Sequence, residues 1–347
     1  MLRIQHAVLH AFDFEVGEAY LSEGELPLEE RQVKSYVQRL LRRCSGNAES
    51  RHGEFGEGVL FAEQLGAYLA GDNDFLGMSV QVAQWFWEEL RRMDSVEQCD
   101  LLVAEFEDTG DAKGKDDEAP SFDGPAPRFF AVLVLPRKLA FAHDVSTGDN
   151  AIYRHDATLP NPTQKIDSFL LVDERTMAVE FCDRPRLIAG RETHVIGDEF
   201  LHCAATAKAS SREVVETVSV IVQDVAEEYG LTPAVEVSRA KAAVARAADV
   251  EQVVSPEAVG REVFAERPEA RERFEREVRE RQLPEEVPVR RGVANRLTRT
   301  HKIRTDTGVE ISFPSELAER PGYIEFIEED DGCTTIAIRG VAHIENR

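Results

Sequence analysis

The densest apolar positions lie between Cys99 and Val145. Leu101-Leu102-Val103-Ala104 is broken by Glu105 and closed by Phe106. Phe129 to Leu135 follows, and after Pro136 come Leu139-Ala140-Phe141. Short runs of Val, Leu and Phe bounded by Gly, Pro and Asp read as strands buried on both faces. This stretch is expected to form the centre of a sheet, with the segments on either side as its cover. The acidic 108–124 segment interrupts it, with Asp111, Asp116, Asp117, Glu118 and Asp123 against Lys113 and Lys115. It reads as a solvated loop, long for a hairpin connection, and it lacks the alternating oxygens of an EF-hand.

Before this centre, Ile4, Val8, Leu9, Phe12 and Phe14 predict a strand over Leu2–Phe14. Val33, Val37, Leu40 and Leu41 recur at helical spacing and predict a helix over Glu29–Arg43, with Gly46-Asn47 as its stop. Helices are also predicted over Phe61–Leu69 and Phe75–Met93, with Asp72 or Asn73 capping the second. The second carries both tryptophans, Trp85 and Trp87, in a stripe read as core. Glycine-rich 53–58 reads as a turn. Beyond the centre, Ser168–Val172 and Met177–Phe181 predict a hairpin, and Arg184, Arg186 and Arg191 read as surface salt-bridge partners.

From Ser210 the pattern turns helical. Ser210 with Glu213 makes a capping box ahead of a valine-rich face, Val214, Val218, Ile221 and Val225. An alanine-rich helix over Val235–Ala248 follows, then a wet, charged helix from Pro268 to Arg281 with Glu–Arg pairs at i, i+4. Leu283 to Pro288 reads as a linker. The remainder alternates with Gly turns like a meander: Lys302–Thr305, Val309–Phe313, Tyr323–Ile327, Thr334–Ile338 and Val341–Ile344. The expected fold class is α+β. A mixed-sheet N-terminal domain with covering helices takes residues 1–205, a helical module 206–285, and a small antiparallel β-rich module with a basic segment at its start 286–347.

Composition narrows the function classes. The chain has 347 residues, 42% hydrophobic and 31% charged, and no run of eighteen apolar residues. Its start lacks a signal-peptide core. Five scattered cysteines (Cys44, Cys99, Cys182, Cys203, Cys333) form no CxxC pair and fit reduced thiols. The formal net charge is -24, which repels nucleic acid and anionic lipid over most of the surface. The charge is uneven. Residues 286–347 hold 9 Lys/Arg against 11 Asp/Glu, which leaves 32 against 54 in the preceding 285. Arg290, Arg291, Arg296, Arg299, Lys302 and Arg304, with His301, form a run free of acidic residues. This run is the candidate phosphate-contacting segment; pairing with the chain's own acids is the plainer alternative.

No catalytic pattern stands out. GxSxG, Walker A, HExxH and the kinase set are absent. His143-Asp144 and His155-Asp156 are neighbours that point apart in a strand. His194, Asp198, Glu199 and His202 fall at helical spacing, yet ordinary surface polarity explains them better than a metal.

Several segments together resemble the bacterial nucleoid-associated protein family of the NdpA/YejK type. They are Ala7-Val8-Leu9-His10, then Gly71 to Leu76 with Ser79, and His301-Lys302-Ile303-Arg304 leading through Gly308-Val309-Glu310-Ile311 and Phe313-Pro314 to Ile336-Ala337-Ile338-Arg339-Gly340. The order of elements is similar over nearly the whole chain. The resemblance implies a cytoplasmic, non-enzymatic protein found with the bacterial chromosome, with no catalytic residue to carry over and no cofactor. The expected function is weak DNA binding without sequence preference through the basic segment. The alternative is an acidic homodimeric scaffold recruited to the nucleoid by a basic DNA-bound protein.

Overall fold

The computed structural model describes residues 2–95, 97–109, 126–144, 151–250, 252–289, 291–315, 317, 322–329 and 334–343. The fold is α+β, and the chain divides into two compact units, Met1–Lys208 and Ala209–Arg347.

The first unit runs β1 (Leu2–Asp13), β2 (Glu18–Tyr20), α1 (Arg31–Cys44), β3 (Arg51–Gly53), α2 (Leu60–Ala70), α3 (Phe75–Leu90), β4 (Cys99–Asp108), β5 (Arg128–Pro136), β6 (Lys138–Asp144), β7 (Ala151–Thr158), β8 (Phe169–Asp173), β9 (Val179–Cys182), β10 (Arg186–Ile188), β11 (Arg191–Thr193) and a π-helix, Val195–Phe200. Its main sheet has the order β2-β1-β4-β5-β8-β9-β3, and its recorded pairings are antiparallel. β4 and β5 are its centre, as their apolar runs predict, with Leu102 opposite Leu133 and Ala104 opposite Ala131.

Continuous apolarity is needed there because both faces are covered. Leu101, Val103, Phe130 and Val132 pack on one side against Phe61 and Leu65 of α2 and Met78, Val82 and Phe86 of α3. Leu102, Ala104, Phe106, Ala131 and Leu133 pack on the other against Val37, Leu40 and Leu41 of α1. Each such fully buried Val, Leu, Phe or Met side chain contributes about 1.5–3 kcal/mol of transfer free energy.

Three expectations change. The cap of α3 is Asp74, not Asp72 or Asn73; its carboxylate accepts from the Gly77 amide at 2.6 Å. β6 does not extend the central sheet. It pairs with β7 alone as a separate two-stranded ribbon, leaving Leu139 and Phe141 exposed. Arg186 is not on the surface: its side chain is buried 3.5 Å from Asp183, whereas Arg184 does pair with exposed Glu97. Of the acidic 108–124 segment, residues 110–124 lie outside the described residues, as does Cys333. Cys44, Cys99, Cys182 and Cys203 are free thiols.

The second unit runs α4 (Ser211–Glu228), α5 (Pro233–Val250), β12 (Val253–Val254), α6 (Pro256–Val263), α7 (Pro268–Glu280), β13 (Val287–Pro288), α8 (Arg291–Thr298), β14 (Thr300–Arg304), β15 (Glu310–Pro314), β16 (Ile324–Glu328) and β17 (Thr334–Ile338). The Ser210–Glu213 capping box forms in both directions. On α7, Glu277 takes Arg273 at 2.5 Å and Arg281 at 3.1 Å. The 283–288 segment read as a linker ends in β13, which pairs with β12. The expected meander is instead two separate hairpins, β14–β15 and β16–β17. Val341 to His343 form no strand.

α6 is a helix that the apolar pattern missed, though Ser255 caps it and Pro256 opens it. Its Gly260 lies so close to the Phe274 ring of α7 that an added methyl would overlap it. Gly260→Ala is therefore expected to destabilise this unit by about 1–3 kcal/mol, although alanine is the better helix former. Denaturant unfolding checks this; a stabilised variant would show that the α6–α7 contact is looser than described.

Candidate nucleic-acid interface

The basic segment folds as one helix leading into one hairpin. The alternating pattern predicts a strand-rich module here, and α8 is an addition to it. Val293, Ala294 and Thr298 are its buried positions, and they suffice to seat it. Thr298 Oγ1 bonds back to the Ala294 carbonyl at 2.8 Å. The Ser315 hydroxyl donates to the Thr298 carbonyl, closing the end of β15 onto α8. From α5, Ser238 Oγ donates to the Ser315 carbonyl at 2.9 Å and Lys241 Nζ to the Thr300 carbonyl at 3.4 Å. The element is thus tied to the helices of its own unit.

The hairpin register sorts the segment into an inside and an outside. His301 lies opposite Phe313, and Lys302 opposite Ser312. His301 is buried, its ring edge-on to Phe313 at 5.3 Å. Burial, with some help from Lys241, lowers its pKa to about 4, so it is neutral at physiological pH. It therefore adds no positive charge. Alternate positions face the other way: Lys302 and Arg304 are exposed, as are Arg296 and Arg299 on and just after α8. Glu310 lies 3.9 Å from Arg304, with both side chains about three-quarters exposed. Such a pair is weak. Among the described residues, Arg299 and Lys302 have no ion-pair partner. Arg290 lies outside the described residues, and of Arg291 only the backbone at the start of α8 is described.

The other candidates do not converge. Among the described residues, no three His, Cys, Asp or Glu side chains come together in a way that could hold a metal ion. Of His194, Asp198, Glu199 and His202, the last three border one hollow, but they make no metal-holding group. The π-helix changes their spacing, Asp198 accepts from the His194 amide at 3.0 Å, and His202 follows with φ +51°. His143 and His155 lie on β6 and β7. No helix among the described residues is long and apolar enough to cross a membrane.

The sequence pattern of the family described as nucleoid-associated protein YejK matches residues 8–346. The chain belongs to that family. No individual curated protein matches it. The match spans both units, so the family pattern covers the acidic sheet domain as well as the basic hairpin.

Proposed function

We propose that this family member is a non-enzymatic protein of the bacterial nucleoid and cytoplasm. It binds duplex DNA weakly and without sequence preference through Arg296, Arg299, Lys302 and Arg304, which Arg290 and Arg291 precede in the sequence. The observation that carries this reading is the exposure of four cations along a single helix and hairpin in a chain of net charge -24. Family membership supports the setting. Exposed, flexible cations suit phosphates, which position a protein but carry no base information. The acidic remainder opposes approach to DNA and keeps the affinity low.

The test is binding to a labelled random-sequence duplex across a salt series. Four phosphate contacts give a log–log slope of about -4, equal for AT-rich and GC-rich duplexes. Absence of binding at low salt overturns the reading, as does a strong sequence preference.

A second reading, an acidic homodimeric scaffold brought to DNA by a basic partner protein, draws on the ribbon β6–β7. Phe141 is 67% and Ile152 72% exposed, and the register Phe141 to Arg154 and His143 to Ile152 puts both on one face. A lone two-stranded hairpin with such a face is marginal in water. Residues 138–158 hold two Lys/Arg and three Asp. Repulsion between two copies of this acidic chain is therefore small there, and an isologous contact would cover the face. The pair Phe141→Ser and Ile152→Ser is expected to weaken self-association at least tenfold by sedimentation equilibrium. A parent protein that stays monomeric at about 100 μM (an affinity weaker than roughly 5.5 kcal/mol) removes this reading.

A further inference from the structure

Two adjoining hollows in the first unit share Glu199 and His202 as a common wall. The smaller, about 160 Å³, is apolar at its base and is lined by Leu60 and Phe61 of α2, Val82 and Trp85 of α3, and Phe200. Its rings are locked together: Phe61 and Trp85 each lie 4.5 Å from Phe200, centroid to centroid. Leu60 is 62% exposed and Trp85 half-buried, so the fold leaves this apolar surface open. A hollow of that size accepts one leucine-sized or phenyl-sized group. The larger, about 320 Å³, is polar, with Glu192, Asp198 and Glu199 set against Arg191.

The shared wall is firmly built. Buried Asp183 accepts from the amides of Ile196 and Gly197 at 2.6 and 3.0 Å, and Arg186 backs it at 3.5 Å. The Gly56 amide donates to the Leu201 carbonyl at 2.9 Å, and a side chain at Gly56 would overlap His202. The π-helix therefore holds Glu199 and Phe200 in place as neighbours on one turn, with Glu199 bordering both hollows and the Phe200 ring lining the apolar one. π-turns of this kind are frequent at functional sites.

We propose that this double cleft binds a linear cationic peptide segment of a partner protein. One apolar side chain enters the Phe61–Trp85–Phe200 hollow, and a neighbouring Arg or Lys lies against Glu199 and Glu192. Charge complementarity selects this occupant. Three carboxylates against one guanidinium repel phosphates and acidic chains, and they attract a cation whose stem can lie along Trp85. The cleft is in a different unit from the basic hairpin and takes a ligand of opposite charge, so it stands or falls independently of DNA binding.

The test uses the full chain and a dye-labelled peptide, Gly-Ser-Leu-Arg-Arg-Ser-Gly, in fluorescence anisotropy, with quenching or shift of tryptophan emission as a second signal. Saturable binding is expected. It should weaken about tenfold (roughly 1.4 kcal/mol) in Glu199→Lys, in the exposed-site pair Leu60→Ser with Glu192→Lys, and with a peptide whose leucine is glycine. A glutamate version of the peptide should not bind, and a DNA duplex should not compete. Circular dichroism confirms that the variants, all at exposed positions, remain folded. No binding at 1 mM peptide (about 4.1 kcal/mol) overturns the proposal. Indifference to Glu199→Lys does so too. Equal binding of the leucine-free peptide would mean general attraction to an acidic surface, and it also overturns the proposal.

Discussion

Arg128→Ala is expected to destabilise the first unit by about 3–5 kcal/mol, because it strands a buried carboxylate. Glu105 interrupts the apolar run of β4 and is 1% exposed. It lies opposite Phe130, on the face that packs against α2 and α3. Arg128 pairs with it, and the Tyr68 hydroxyl of α2 donates to it. The same guanidinium reaches Glu174 at 3.4 Å and donates to Gln5 Oε1 at 2.6 Å. One cation thus serves two nearly buried carboxylates.

The loss should depend on pH. Burial first, and the charge of Glu105 second, push Glu174 up from 4.5 to about 7. A carboxyl raised in the folded state favours folding while protonated. That contribution is full below about pH 4.5 and is lost as pH rises through about 7. Without Arg128, whose charge opposes the upward shift, ionising Glu174 costs still more. Denaturant unfolding of Arg128→Ala should therefore show its greatest loss near pH 8 and a smaller one near pH 5.5. Glu174→Gln in the parent background should gain about 2 kcal/mol at pH 8 and lose that gain toward pH 5. A small loss for Arg128→Ala, equal at both pH values, would show that Glu105 is not held as described.

Much of this fold was legible in the hydrophobic pattern because both faces of the main sheet are covered. Leu101 to Ala104 and Phe129 to Leu135 could be read as buried strands for that reason. Leu139-Ala140-Phe141 looks the same in sequence yet forms an exposed ribbon, since pattern records apolarity and not which neighbour is present to cover it. α8 was missed for the converse reason: its few apolar residues suffice only because α5 and the end of β15 are there to receive them. Glu105 was a visible interruption, but its partner Arg128 is brought to it by the β4–β5 register. The basic run was legible as charge, whereas the separation of inward His301 from outward Lys302 required the hairpin. The cleft was hidden because a 3.6-residue period cannot anticipate a π-turn or the positive φ of His202.

Replacing Arg296, Arg299, Lys302 and Arg304 together with alanine is expected to lower DNA affinity about 10²–10³-fold in 50 mM salt and to flatten the salt slope from about -4 toward zero. The fold should survive, because all four side chains are exposed. The seat of the element is made by other groups: Val293, Ala294, Thr298, His301 and Phe313 are buried. Surface contacts of these side chains, the Arg304–Glu310 pair among them, are worth at most about 1 kcal/mol each. Each single change should weaken binding to all duplexes alike and reduce the slope by about 1, as expected of a phosphate contact and not of a base contact. Glu310→Lys reverses an opposing charge beside Arg304 and should steepen the slope toward about -5. Sequence-selective losses from any single change would mean that the hairpin reads bases. If the fourfold variant binds like the parent, contact is made elsewhere on the chain, and the exposed cations of α8 and β14 serve solubility alone.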